Sequence, residues 1–210
     1  NVDKITKFEN SIYYLSSNNI FSFNLYDNNI NTVLENNLEI IRFDVYDNFI
    51  LYSCFEKDTN SYLLFCYNMN DENKIQVNDN SNVNFQISDF KFYNNKIMYI
   101  NIEKNDKYNQ LYLYDLETKT KKSINNVCVF NSEVKSFKIL NNDIIYYGVI
   151  QNPGENCIIV YNLITEEQFY LSKKNLSGGN GVLPNYFINT KYNKIIYLSN
   201  CDNYFINEIF

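Results

Sequence analysis

Hydrophobic residues in this chain come in short runs separated by polar breaks, and one run has a recurring form. Five times the order is Asn, any residue, Ile, an apolar residue, then Tyr. The copies are Asn10-Ser11-Ile12-Tyr13-Tyr14, Asn48-Phe49-Ile50-Leu51-Tyr52, Asn95-Lys96-Ile97-Met98-Tyr99, Asn142-Asp143-Ile144-Ile145-Tyr146 and Asn193-Lys194-Ile195-Ile196-Tyr197. They are 38, 47, 47 and 51 residues apart, a period of propeller-blade length. Before them stand Glu9-Asn10, Asp47-Asn48, Asn94-Asn95, Asn141-Asn142 and a shortened Tyr192-Asn193. Asn and Asp tolerate the positive φ that two-residue hairpin turns need, so each motif is expected to open the second strand of a hairpin.

A second marker keeps step with the first. An apolar run ends in Asn or Asp at Asn24, Asn68, Asp115, Asn162 and, more faintly, Asn207, at steps of 44, 47, 47 and 45. Both series advance by 183 residues in total, although their individual steps differ. A fourth strand is expected at Asn31 to Leu34, Lys74 to Val77, Lys121 to Ile124 and Gln168 to Leu171. β-Branched and aromatic residues fill the strand positions. The inner strands are near-continuous apolar runs, which a sheet covered on both faces predicts. Four-stranded antiparallel sheets packed face to face around an axis are the blades of a β-propeller.

The expected architecture is therefore an all-β propeller of about five repeats, with blades of roughly 46 residues. One propeller domain is expected over residues 1–210, with blades at 1–37, 38–82, 83–130, 131–181 and 182–210. The last copy reaches only its third strand at Phe210. Either the ring closes imperfectly or the chain is a piece of a longer one. Ile12, Ile50, Ile97, Ile144 and Ile195 are expected to be buried between blades at equivalent positions of the five copies.

Composition narrows the chemistry. Asn is the commonest residue at 40 of 210, Ala, His and Trp are absent, and Arg occurs once, at Arg42. That bias follows AT-rich codons, and the Asn-rich stretches fall at turn positions between strands, unlike a prion-like tract. With 20 Tyr and 16 Phe the chain can build a large core. The absence of Ala disfavours helix. The formal charge is −6, with scattered cations. Nucleic-acid binding needs clustered Lys and Arg, so it is not expected. No apolar run approaches the roughly 20 residues of a membrane-spanning helix.

Without His there is no Ser-His-Asp or Cys-His catalysis and no imidazole metal ligand. Carboxylate pairs remain, as in glycoside hydrolysis. Asp44 and Asp89, near strand starts in successive blades, are the candidates, against the plainer reading of strand-end carboxylates satisfied by backbone or solvent. The acidic stretches Asn70 to Asn73 and Asn78 to Asn82 lack the Gly and terminal Glu of a calcium loop and are expected to be solvated turns. Cys54, Cys66, Cys128, Cys157 and Cys201 show no Cys-x-x-Cys spacing and are expected to be buried thiols. Ser177-Gly178-Gly179-Asn180-Gly181 is expected to be an inter-blade loop, with no Lys-Ser/Thr following it as in a nucleotide loop. No catalytic residue, metal site or cofactor is assigned, and the ligand-binding residues are left open.

The Ile-Tyr-Tyr and Ile-Ile-Tyr strands, with Leu111-Tyr112-Leu113-Tyr114-Asp115-Leu116-Glu117-Thr118, resemble bacterial propeller repeats of unknown function that look like the low-density-lipoprotein-receptor-related type. The 111–118 segment is also similar to kelch and TolB-type blades. The Gly-Gly pair and Trp of kelch and the Tyr-Trp-Thr-Asp motif of the receptor propellers are missing, so the resemblance implies architecture and no functional residue.

The function expected is a non-catalytic binding or scaffolding module for a protein or carbohydrate partner. The alternatives are an enzyme or enzyme-accessory propeller with carboxylates at the ring mouth, and a structural subunit of a larger assembly. Loop tyrosines such as Tyr108 and Tyr204 are the expected contacts, since Tyr offers a flat apolar face and a hydroxyl. A secreted or cell-surface location is expected from the processed-looking start at Asn1 and from the resemblance.

Overall fold

The structure describes residues 4–79, 87, 89–102, 109–124, 132–140, 144–151, 155–170, 186–189, 194–198 and 204–208, with side chains at 4–79, 87, 89–102, 109–124, 134–139 and 159–168. Among these residues the computed structural model holds 19 strands and no helix. The first sheet comprises β1 (Lys4–Phe8), β2 (Ser11–Ser16), β3 (Asn19–Asn24) and β4 (Ile30–Leu34). The second comprises β5 (Glu39–Tyr46), β6 (Phe49–Glu56), β7 (Ser61–Asn68) and β8 (Lys74–Gln76). The third has β9 (Asp89–Tyr93), β10 (Lys96–Asn101), β11 (Gln110–Asp115) and β12 (Lys121–Ser123). The fourth has β13 (Ser132–Leu140), β14 (Ile144–Gln151), β15 (Glu155–Asn162) and β16 (Gln168–Tyr170). A three-stranded sheet, β17 (Tyr186–Asn189), β18 (Lys194–Leu198) and β19 (Tyr204–Glu208), follows. In every sheet, strands adjacent in sequence are adjacent in space. The chain divides into two compact units, Asn1–Asn105 and Asp106–Phe210.

The turn chemistry works as the residue types dictate. Phe8 pairs with Ser11, Tyr46 with Phe49 and Tyr93 with Lys96, so each first hairpin closes on two residues. Positive φ falls at Glu9 (48°), Asp47 (50°) and both Asn94 (41°) and Asn95 (57°). The second marker has a local cause too. The side-chain Oδ1 of Asn24 accepts the N–H of Tyr26, and Asn68 does the same for Asn70. Asp115 accepts from Glu117 and Thr118, and Asn162 from Ile164 and Thr165. In each case the anchor's own N–H donates to the carbonyl five residues on, at Asn29, Asn73, Thr120 and Glu167. These are Asx-type turns, in which a short side chain stands in for a backbone turn. The two markers are also tied to each other. Leu25 donates its N–H to the carbonyl of Asn10, and Met69 donates to Asn48.

In the first unit, cross-strand partners share a face, so register decides what each face buries. Leu15, Ile20 and Leu34 of the first sheet pack with Ile40, Phe43, Val45, Ile50, Tyr52, Cys54, Leu63 and Phe65 of the second. The opposite face of the second sheet meets the third. There Tyr46 and Phe49 lie against Phe92 at ring distances of 5.5 and 6.0 Å. Both faces of β6 are therefore covered, and Ile50, Leu51 and Tyr52 are all 0% exposed. Ile97 is buried as expected, but Ile12 is only half-buried, because its face of the first sheet is not covered in the same way. Ile144 and Ile195 lie on strands, and their side chains fall outside the described residues. The second unit has its own core in Leu111, Leu113, Ile124, Val134, Phe137, Ile159 and Val160.

Candidate functional site

An antiparallel meander sends its connections to two ends, and the two ends of these sheets differ. The first-to-second and third-to-fourth connections are the tight hairpins and Asx turns just described, nearly identical from repeat to repeat. The second-to-third and sheet-to-sheet connections emerge at the other end and vary: Ser17-Asn18 in the first sheet, Lys57–Asn60 in the second, and longer links between sheets. Irregular loops on a repeated framework are where recognition residues sit.

In the first unit these loops border an open cleft of about 390 Å³. One wall is the link between the first two sheets, with Asn37 and Leu38, and the start of β5 at Glu39; the other is the end of β6, with Phe55 and Glu56, and the loop after it, with Lys57 and Asp58. The link is held in shape by Asn36, whose N–H donates to Asn19 Oδ1 at 3.2 Å and whose Nδ2 donates to the carbonyl of Leu38 at 3.0 Å. On the other wall the Thr59 hydroxyl donates to the Glu56 carboxylate, and Ser61 Oγ donates to the carbonyl of Thr59 at 3.2 Å. Phe55 pairs across the sheet with Tyr62, with ring centroids 4.9 Å apart. Glu39, Glu56 and Asp58 against a single Lys57 make the cleft acidic, and Asn18 and Asn37 add amides. Such a lining suits a hydroxyl-rich ligand or a cationic side chain, since amides and carboxylates supply acceptors and donors around an aromatic wall. Nothing in the hydrophobic pattern marked these residues. The only sequence signal is the local clustering of Glu, Lys and Asp after β6.

Asp44 and Asp89 are brought close to each other's neighbours, but each faces a cation. Arg42 Nη2 meets Asp89 Oδ1 at 3.0 Å, and Lys91 Nζ meets Asp44 Oδ2 at 3.5 Å. Asp44 Oδ1 also accepts the N–H of Val45, and Asp89 Oδ1 that of Phe90. The Arg42 guanidinium lies 4.9 Å over the Phe90 ring. Burial first, and then the nearby charge of Arg42, lowers the pKa of Lys4, with Asp44 opposing. The result is a ladder of opposite charges between the first strands of the second and third sheets, which matches one register and no other.

Cys54 and Cys66 are buried free thiols, each pushed up to about 12 by burial. Cys128 and Cys201, Tyr108 and the Ser177–Gly181 segment lie outside the described residues, as do the side chains of Cys157 and Tyr204. The Asn70 to Asn73 stretch is a turn: Asp71 Oδ1 accepts the N–H of Asn73 at 3.1 Å. Asn78 departs from the expected solvated turn, being 3% exposed. Its Oδ1 accepts the N–H of Leu64 at 2.7 Å and its Nδ2 donates to the carbonyl of Tyr62 at 2.9 Å. Among the described residues no group of three or more His, Cys, Asp or Glu is placed to hold a metal ion, and no helix is long and apolar enough to cross a membrane.

No protein-family model matches the chain, and no curated protein matches it. Solved structures do. The tricorn protease is similar with a TM-score of 0.65 at 15% identity, over 93% of this chain and 18% of that one. Porphyromonas gingivalis dipeptidyl peptidase 4 gives 0.63 at 13% identity, over 85% and 26%. TolB from Acinetobacter baumannii gives 0.50 at 14% identity, over 90% and 45%. The chain thus spans less than half the length of each of these. These are propeller-type proteins, and at such identities the likeness speaks to architecture alone. The chain has an all-β, propeller-type fold.

Proposed function

We propose that this chain is a non-catalytic binding module whose ligand enters the acidic cleft between its first two repeats. The cleft at the variable-loop end carries the reading: it has an aromatic wall, amides and three carboxylates, on a framework fixed by hairpins and Asx turns. The partner class it fits is a carbohydrate or a protein segment bearing Lys or Arg. The test is a binding screen of the purified chain against oligosaccharides, Lys- and Arg-containing peptides, duplex DNA and anionic vesicles, repeated with Glu39→Gln/Asp58→Asn. Binding from the first two classes, weakened at least tenfold by the double substitution, supports the proposal. Tight salt-sensitive binding to DNA or vesicles, or binding that ignores the substitution, would falsify it.

A second reading has support in the neighbours, two of which are peptidases: an accessory propeller attached to an enzyme. The low-density-lipoprotein-receptor-related and kelch resemblances fit either reading. The ion-paired state of Asp44 and Asp89 argues against carboxylate catalysis by the chain itself. Hydrolysis of fluorogenic peptides or glycosides by the purified chain, lost in Asp44→Asn or Asp89→Asn, would instead favour catalysis. We place the protein at the cell surface or outside the cell. A gene with no export signal upstream of Asn1 would move it to the cytoplasm.

A further inference from the structure

We infer that an ordered water molecule is held between the second and third sheets, bridging Ser53 on β6 and Asn101 on β10. Asn101 is 0% exposed and Ser53 1% exposed. Neither Ser53 Oγ nor the Oδ1 and Nδ2 atoms of Asn101 have a hydrogen-bond partner in the protein. Polar atoms left unpaired in an interior are costly, and buried ones are nearly always satisfied by protein or by ordered water.

Both side chains belong to the same interface. Side chains alternate along a strand, so Ser53 shares a face of β6 with Phe49, whose ring lies against Phe92 of the third sheet. Arg42 stands opposite Ser53 in register, and its guanidinium lies over Phe90. On β10, Asn101 shares a face with Ile97 and Tyr99, which stand opposite Phe92 and Phe90. The Tyr99 hydroxyl also reaches the second sheet, donating to the carbonyl of Val77 at 3.5 Å. Repeat position gives the level of each residue. Ser53 stands 47 residues before Ile100, and each is the fifth residue after the Asn of its motif. Ser53 is therefore level with Ile100, across from the interval between Tyr99 and Asn101.

The repeat singles out this pair. In the other copies the position of Ser53 is held by Leu15, Ile100, Tyr147 and Leu198, and that of Asn101 by Ser16, Cys54, Gly148 and Ser199. Ser53 is the smallest side chain in its series, and Asn101 is the only amide in its own. The two exceptions face one gap. Their chemistry selects water over a metal ion. Asn101 offers both donors and an acceptor, and Ser53 one donor and two lone pairs. A water can accept from Asn101 Nδ2 while donating to Ser53 Oγ, and buried waters typically make about three such bonds. A cation could use only the acceptors and would share the face with the Arg42 guanidinium.

The test uses the full chain in solution. Cross-relaxation between water and the side-chain amide protons of Asn101 should carry the sign of a long-lived contact, and this measurement needs no variant. Oxygen-17 relaxation dispersion then counts the waters that exchange slowly with solvent. Asn101→Leu, checked for folding by circular dichroism, is expected to lower that count. Ser53→Ala should shorten the residence of the water by about fivefold, the worth of one hydrogen bond. Cys54→Val, on the face turned to the first sheet, should change neither. Three results would overturn the inference. They are no long-lived water at the Asn101 amide, an unchanged count in folded Asn101→Leu, and a crystal structure in which Ser53 Oγ bonds directly to Asn101.

Discussion

At the scale of single residues, the repeated Asx turns place strain where glycine would relieve it. Four residues after each anchor the backbone has positive φ, at Asn28 (58°), Glu72 (56°), Lys119 (54°) and Glu166 (59°). An L-residue there costs roughly 1–2 kcal/mol, while glycine loses about 0.5–1 kcal/mol of that gain through its freer unfolded chain. Glu72→Gly and Lys119→Gly should each stabilise by about 0.5 kcal/mol, and Lys119→Val should destabilise, as measured by urea denaturation. Asn78 has the opposite sensitivity. Its amide completes the ladder beyond the end of β8, so Asn78→Ala removes the acceptor of the buried Leu64 N–H and a donor to the carbonyl of Tyr62. A loss of about 1–3 kcal/mol is expected, the cost of leaving a buried N–H such as that of Leu64 unsatisfied.

At the scale of strands and sheets, burial separates residues the sequence treats alike. Ile12, Ile50 and Ile97 occupy one motif position, yet the last two are fully buried and the first is not. Ile50→Ala and Ile97→Ala should cost about 2–5 kcal/mol, and Ile12→Ala clearly less, about 1 kcal/mol. Thermal or urea unfolding of the three variants would check the order. The second sheet also sets an alkaline limit. Cys54 and Cys66 have folded values raised from 9.0 to about 12. Between those values the native state holds protons that the unfolded chain releases, so stability is full below about pH 9 and falls as pH rises towards 12. Unfolding midpoints across that range should decline, and should decline less in Cys54→Val/Cys66→Val. Thiol reagents at neutral pH should label neither residue until the chain unfolds.

At the scale of the whole molecule, charge governs what the chain meets. A net charge of −6 with one Arg gives little to neutralise phosphates. Even at low salt, fluorescence anisotropy with duplex DNA should show no binding. Binding with a steep salt dependence would mean that the 18 cations gather on one surface, contrary to their scatter along the chain.

The sequence by itself determined the strands, their order within each repeat and the turns between them. Those features depend on contacts a few residues apart: Asn and Asp at positive φ or accepting the next N–H groups, and apolar runs at strand spacing. It also marked carboxylates at Asp44 and Asp89 without revealing their partners. Arg42 and Asp89 are 47 residues apart, as are Asp44 and Lys91, and only the approach of two sheets sets them against each other. The cleft has the same origin, since Asn18, Asn37 and Asp58 come from three connections that local pattern treats as ordinary polar breaks. Whether a strand face is core or surface was likewise decided by tertiary structure. Ile5 and Phe43 are both apolar at one repeat position, and only the presence of a covering sheet separates an exposed residue from a buried one.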